Sequence, residues 1–167
     1  MRIEQLMSQP AINCGQNDTL NTAARLMWEN DCGVLPVVGD DGRLVGIVTD
    51  RDICMSAYTQ GKSLHEILVS SAMAKQVFSC HPQDSVDAAE QLMSKSQIRR
   101  MPVIDDDNHP IGVLSLNDIA RNAGSARRGN GVDHEIVQTL AAICQPRLRP
   151  PQVMHDIAAP APVPAGM

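Results

Sequence analysis

The sequence predicts an α+β fold in which one β-α-β-β-α unit is used twice and is followed by a further helix and a tail. Three observations carry this. Shifted by 66 positions, residues 7–53 align with 73–119 without a gap, and a register held across prolines, glycines and acids marks an internal duplication. Within each copy the apolar residues switch between the helical and the alternating strand period. Hydrophobic residues make up 43% of the 167, enough for a packed interior and too many for wholesale disorder. A single unit of about 55 residues buries its sheet poorly, so the two are expected to share a core.

Each copy opens on a short extended piece, 11–14 and 77–80. An acid and a hydroxyl follow, Asp18-Thr19 and Asp84-Ser85, which is N-cap chemistry. Leu20, Ala23, Ala24 and Met27 then fall at helical spacing, as do Val86, Ala89, Leu92 and Met93 in the second copy. Strands are expected at 34–38 and 44–49, and again at 100–104 and 111–114. Asp40-Asp41-Gly42 and Asp105-Asp106-Asp107-Asn108 are residues that tolerate the tight turn between them. A second helix begins near Asp50 and near Asn117. The repeats therefore span 3–60 and 67–124. Residues 58–66 form a polar joint around Gly61, with Lys62-Ser63 as a helix start. A linker is expected over 125–131. An amphipathic helix follows over 132–145, carrying Ile136, Val137, Leu140, Ala141 and Cys144, and then a Pro/Ala-rich disordered tail over 146–167.

Composition removes several function classes. Fourteen Lys and Arg stand against nineteen Asp and Glu, a net charge of −5. Trp28, Tyr58 and Phe78 are the only aromatic residues. An acidic chain with so few stacking platforms is not expected to bind nucleic acid. No apolar run approaches the ~20 residues that span a bilayer, and the N-terminus lacks a signal-peptide core, so a cytoplasmic location without membrane attachment is expected. The five cysteines form no C-x-x-C pair, which reads as reduced, buried thiols. The histidines show no ligand spacing, so no metal is expected. With no P-loop, no G-x-G-x-x-G and no nucleophile–base pair, the chain is not expected to be an enzyme.

The paired strings Gly46-Ile47-Val48-Thr49-Asp50-Arg51-Asp52 and Gly112-Val113-Leu114-Ser115-Leu116-Asn117-Asp118 each follow a P-V-[VI] strand, at Pro36 and Pro102. They resemble those of cystathionine-β-synthase (CBS) domains over residues 3–124. The arrangement is similar to stand-alone bacterial tandem CBS proteins (Bateman modules) of the mycobacterial hypoxic-response type, including the stretch at 134–146. The resemblance implies two repeats packed sheet to sheet around a pseudo-twofold axis, leaving two clefts for adenosine compounds. AMP, ADP, ATP, S-adenosylmethionine and NAD are the family's range. It further implies a homodimer and signal transduction to a downstream protein that the sequence does not identify.

The residue types suit that ligand. A carboxylate accepts both vicinal ribose hydroxyls. A hydroxyl at the strand-to-helix junction and the helix N-terminal amides face a phosphate. The resemblance assigns to a first cleft Gly46, Ile47, Thr49 and Asp52 with Phe78, Ser79, Arg99 and Arg100. To a second it assigns Gly112, Val113, Ser115 and Asp118 with Ile12, Asn13, Cys32, Gly33 and Val34. Guanidinium forks suit phosphate, so an anionic nucleotide is expected in the first cleft; the second is expected to take a less charged adenosine compound or to stay empty. Plainer roles stand beside these. Asp52, Asp118, Thr49 and Ser115 could cap the helices that follow, which does not exclude binding, and Arg99-Arg100 could be a solvated pair. Asp105–Asp107 reads as a hairpin tip rather than a metal site, and Cys14 and Cys80 as small strand residues rather than redox groups. The expected function is a non-enzymatic sensor that transmits occupancy through module or dimer geometry; the alternative is a ligand-independent dimerisation or protein-interaction module.

Overall fold

Cys14–Gly15 is the first strand, β1, shorter than the extended piece expected there. The computed structural model describes residues 1–125, and the linker, amphipathic helix and tail expected after that point lie outside them. Helix α1 (Leu20–Glu29) starts on Thr19, whose hydroxyl accepts the Thr22 amide at 3.3 Å. Asp18 serves the turn before it instead, accepting the Gly15 amide at 2.8 Å. Strands β2 (Val34–Val38) and β3 (Leu44–Thr49) form an antiparallel hairpin, and β1 pairs with β2 in parallel, Cys14 opposite Val37. Helix α2 (Asp50–Gln60) stops at Gly61, whose φ of 60° is a left-handed value that costs glycine nothing.

Where a helix start was expected at Lys62-Ser63, the joint instead holds a turn over residues 63–66, the Glu66 amide donating to the Ser63 carbonyl at 2.9 Å. The short helix α3 (Val69–Ala72) follows. The second copy repeats the first with α4 (Val86–Ser96), β4 (Arg100–Ile104), β5 (Pro110–Ser115) and α5 (Leu116–Ser125). Its leading strand shrinks to a single parallel bridge from Cys80 to Val103. The duplication extends to irregularities. Both hairpins shift register at the same repeat position, between Val37 and Val38 and between Val103 and Ile104. Both turns also use a left-handed residue, Gly42 at φ 78° and Asn108 at φ 68°, and asparagine is among the few side chains that accept it.

The shared core expected from the sequence is instead two cores, each closed by the leading residues of the other copy. Leu20, Ala23, Leu35, Val37 and Val48 are fully buried in the first, together with Ile67 and Val69 from the start of the second repeat. Met101, Val103 and Leu114 are fully buried in the second, together with Ile3 from the start of the chain. Backbone bonds hold the exchange: Val69 to Asp18 at 2.8 Å, Ile3 to Asp84 at 3.0 Å, and reciprocal pairs between Ile47 and Ala74 and between Val113 and Ser8. A small unit thus borrows the apolar surface it cannot supply, and a buried isoleucine is worth roughly 1.5–3 kcal/mol. The hairpins also touch near their tips. The Leu44 amide donates to the Asn108 carbonyl at 2.9 Å, and the Asn108 side-chain amide returns a bond to the Leu44 carbonyl at 3.2 Å.

Candidate functional site

In each copy the G-h-h-[TS]-x-x-D string covers the end of the second hairpin strand and the first turn of the helix after it. Thr49 ends β3 and caps α2: its hydroxyl accepts the Asp52 amide at 3.2 Å. The Asp52 side chain reaches back, Oδ2 accepting the Thr49 amide at 2.8 Å and the Thr49 hydroxyl at 2.7 Å. This is a reciprocal capping box, with the acid at the positive end of the helix. Among the described residues no hydrogen bond reaches Asp52 Oδ1. One oxygen of the half-buried carboxylate builds the corner and the other is left over.

Thr49 forms part of the wall of a cleft of about 260 Å³ between the two copies, near the lower end of the ~300–1,000 Å³ usual for small-molecule pockets. The sequence-assigned Ile47, Thr49, Phe78, Arg99 and Arg100 line it together. Gln76, Val77 and Ala74 of the crossing segment, with Val34 and Ile98, complete the wall. Asp52 is not on the wall itself; it is hydrogen-bonded to Thr49, which is. The backbone of residues 76–79 makes no hydrogen bond among the described residues, so its donors and acceptors remain open. Ser79, the last residue of this stretch, is half-buried but not on the wall.

Gly46 is not on the wall either, and its position has a packing reason. A Cβ there would lie 2.5 Å from the Met73 sulfur and 3.1 Å from the Ala74 carbonyl oxygen. At Gly112 it would lie 2.9 Å from both the Met7 sulfur and the Ser8 carbonyl oxygen. The glycine of the string is what lets the exchanged segment lie against the strand.

The second corner repeats the first with a difference. Ser115 N and Oγ donate to Asp118 Oδ2 at 2.8 and 2.6 Å, and the Ser115 hydroxyl accepts the Asp118 amide at 3.3 Å. Asp118 Oδ1 is taken as well, by the Ser8 hydroxyl at 3.3 Å and by Arg121. Asp118 is 4% exposed. Val113 pairs with Ser8, while Ile12 and Asn13 lie just before β1. Val34, assigned by sequence to this second set, lines the first cleft. Gly33 sits beneath Asp50 and Arg100: a Cβ on it would be 2.8 Å from Asp50 Oδ2 and 3.5 Å from Arg100 Nη2. Cys32 lies on a separate groove between α1 and α2, with Met27, Trp28 and Ile53.

The sequence signal for the missed wall residues was the repeat carried backwards. The 66-residue shift continues to Ile3 and Val69, which marks the leading segments as structural parts of the unit. Cys14 and Cys80, equivalent and buried, both have thiols pushed up to about 12, first by burial and then by the neighbouring carboxylates of Asp18 and Asp84. Such thiols are poor nucleophiles. At the second hairpin tip, Asp105 accepts the His109 and Asp107 amides at 2.8 and 3.0 Å, which with the adjacent imidazole holds its carboxyl below the usual range. Among the described residues no three of His, Cys, Asp and Glu gather as metal ligands would, and no helix is long and apolar enough to cross a membrane.

Comparison with known proteins agrees with this architecture. The family model described as CBS domain matches twice, at residues 3–57 and 69–124. A CBS domain-containing protein of Bacillus subtilis, YhcV, is 36% identical over 130 residues, covering 74% of this chain and 91% of its own. Hypoxic response protein 1 of Mycobacterium tuberculosis is 33% identical over 132 residues, covering 79% and 86%. Among solved structures, the CBS domain pair of protein MJ0100 in complex with 5′-methylthioadenosine and S-adenosylmethionine is 30% identical. Its TM-score is 0.66, with 73% of this chain and 98% of that one covered. Hypoxic response protein I with two coordinated zinc ions superposes equally well, at 30% identity and a TM-score of 0.66 over 72% and 98%.

Proposed function

This chain belongs to the CBS-domain family, with two copies in tandem, and from that premise we propose that it is a non-enzymatic regulatory module that binds an adenosine nucleotide, AMP foremost, in the cleft lined by Phe78, Arg99 and Arg100. The observation that carries the proposal is the spare Oδ1 of Asp52, at a corner whose Thr49 lines that cleft beside the two arginines.

The roles follow from the chemistry. Asp52 Oδ1 accepts the ribose hydroxyls, and Thr49 holds the carboxylate by donating to its other oxygen. Arg99 and Arg100 take the phosphate. Val34, Ile47 and Phe78 enclose the adenine, and the open backbone of 76–79 reads its polar edge. The MJ0100 pair was solved with methylthioadenosine and S-adenosylmethionine; two arginines on one wall favour a phosphorylated ligand here. Because both copies contribute to the wall, occupancy biases their relative placement. A signal requires that the ligand prefer one placement over the other. The proposal includes a homodimer and a downstream protein that reads its geometry.

A thermal-shift panel tests this, with AMP, ADP, ATP, S-adenosylmethionine and NAD against GMP as control. A ligand at ~100 times its Kd adds about 2.7 kcal/mol, a rise of several degrees for a chain of this size. A selective response to adenosine compounds is expected. No response to any of them would refute ligand sensing and leave the interaction module.

A further inference from the structure

We propose that the second corner is locked by the chain's own side chains, so that each chain offers one ribose-binding carboxylate, Asp52, and not two. This rests on the reading of the first cleft as an adenosine site and goes beyond it by assigning stoichiometry and the residues that set it.

Two repeat-equivalent differences decide which side chains reach the aspartate. The residue three after the aspartate is Met55 in the first copy and Arg121 in the second. The exchanged segment brings Ala74 to the first corner and Ser8 to the second. Met55 and Ala74 have no side-chain donor to offer. Arg121 and Ser8 both donate to Asp118 Oδ1, while Ser115 fills Oδ2 twice. A carboxylate has about four acceptor positions, and on Asp118 all four are filled. The exchanged segment is also held further along in this half. The Ala11 amide donates to the Ile111 carbonyl at 3.1 Å, a bond its equivalent, Val77, does not make.

A ribose diol could reach Asp118 only by displacing Arg121 and Ser8 from a carboxylate that is 4% exposed. Its two neutral hydroxyls would replace a charge-assisted bond, and the guanidinium would lose its buried partner. At Asp52 nothing has to leave.

The test is isothermal titration with AMP and with uncharged adenosine. Wild type is expected to bind one equivalent per chain, Asp52→Ala to weaken AMP roughly 10- to 150-fold, and Asp118→Ala to leave affinity unchanged. The double variant Arg121→Met, Ser8→Ala is expected to gain a second equivalent, which Asp118→Ala removes again. Two equivalents in wild type, or binding that survives Asp52→Ala and is lost in Asp118→Ala, would overturn the lock while leaving the nucleotide-binding reading in place. Should wild type bind neither probe, that reading fails, and denaturation without ligand still decides the lock. Arg121→Met is expected to lower the unfolding midpoint when Asp118 is present and to leave it unchanged when Asp118 is already Ala. Equal effects in both backgrounds would overturn it.

Discussion

Asp52 does two jobs with two oxygens, and substitutions separate them. Asp52→Ala removes both. The bonds from Oδ2 to the Thr49 amide and hydroxyl, 2.8 and 2.7 Å long, are capping interactions worth about 1 kcal/mol, so the ligand-free protein should lose roughly 2–4 °C of Tm. Asp52→Asn keeps a carbonyl oxygen that can accept from Thr49 but loses the charge and turns an NH2 toward the ribose. Its stability should therefore stay near that of wild type. Both variants forfeit an ionised acceptor for the diol, worth about 1.5–3 kcal/mol, which is roughly 10- to 150-fold in Kd for AMP. Titration calorimetry and ligand-free thermal denaturation read the two quantities independently. If Asp52→Asn binds AMP within about twofold of wild type, the carboxylate is a cap and no more, and the ribose assignment is refuted.

Other outcomes follow from single contacts. Arg100→Ala should weaken AMP at least about tenfold and leave uncharged adenosine unaffected; equal loss for both ligands would remove the phosphate from this cleft. Gly46→Ala should cost about 1–3 kcal/mol in urea denaturation, and adding Met73→Ala should restore only part of it, because the Ala74 carbonyl oxygen remains 3.1 Å from the new Cβ. Ile3→Ala should cost about 2–5 kcal/mol and speed hydrogen exchange in α4, β4 and β5 more than in β2 and β3; the reverse pattern would contradict the segment exchange. In a native thiol titration exposed Cys54 should react while Cys14 and Cys80 stay silent until unfolding. Their thiols rise from 9.0 to about 12 on folding. The unfolded chain therefore releases these protons first, and both cysteines should make stability fall as pH rises from about 9 toward 12.

Much of this molecule was legible because its signals are local. A helix cap needs a hydroxyl next to the first turn, and Thr19, Thr49, Ser85 and Ser115 all stand where the pattern asks for one. A hairpin tip needs residues that tolerate φ > 0, and Gly42 and Asn108 supply it. The duplication could be read because it is a comparison of the chain with itself. The two sets of cleft residues were legible only in part. Val34 belongs to the first wall rather than the second, since the starts of β2 and β4 come close together at Gly33 and Arg100.

What the sequence determined by itself is the repeated unit, its turns and caps, and the aspartate at the corner of each copy. The tertiary structure decided what those aspartates face. Ser8 meets Asp118 across 110 positions of chain, and Ala74 reaches the first corner only because α3 folds back onto β3. Periodicity and spacing describe neighbours within a few residues. Which hydroxyl or methyl group arrives from the other repeat depends on how the two cores exchange their leading segments, and packing alone settles that.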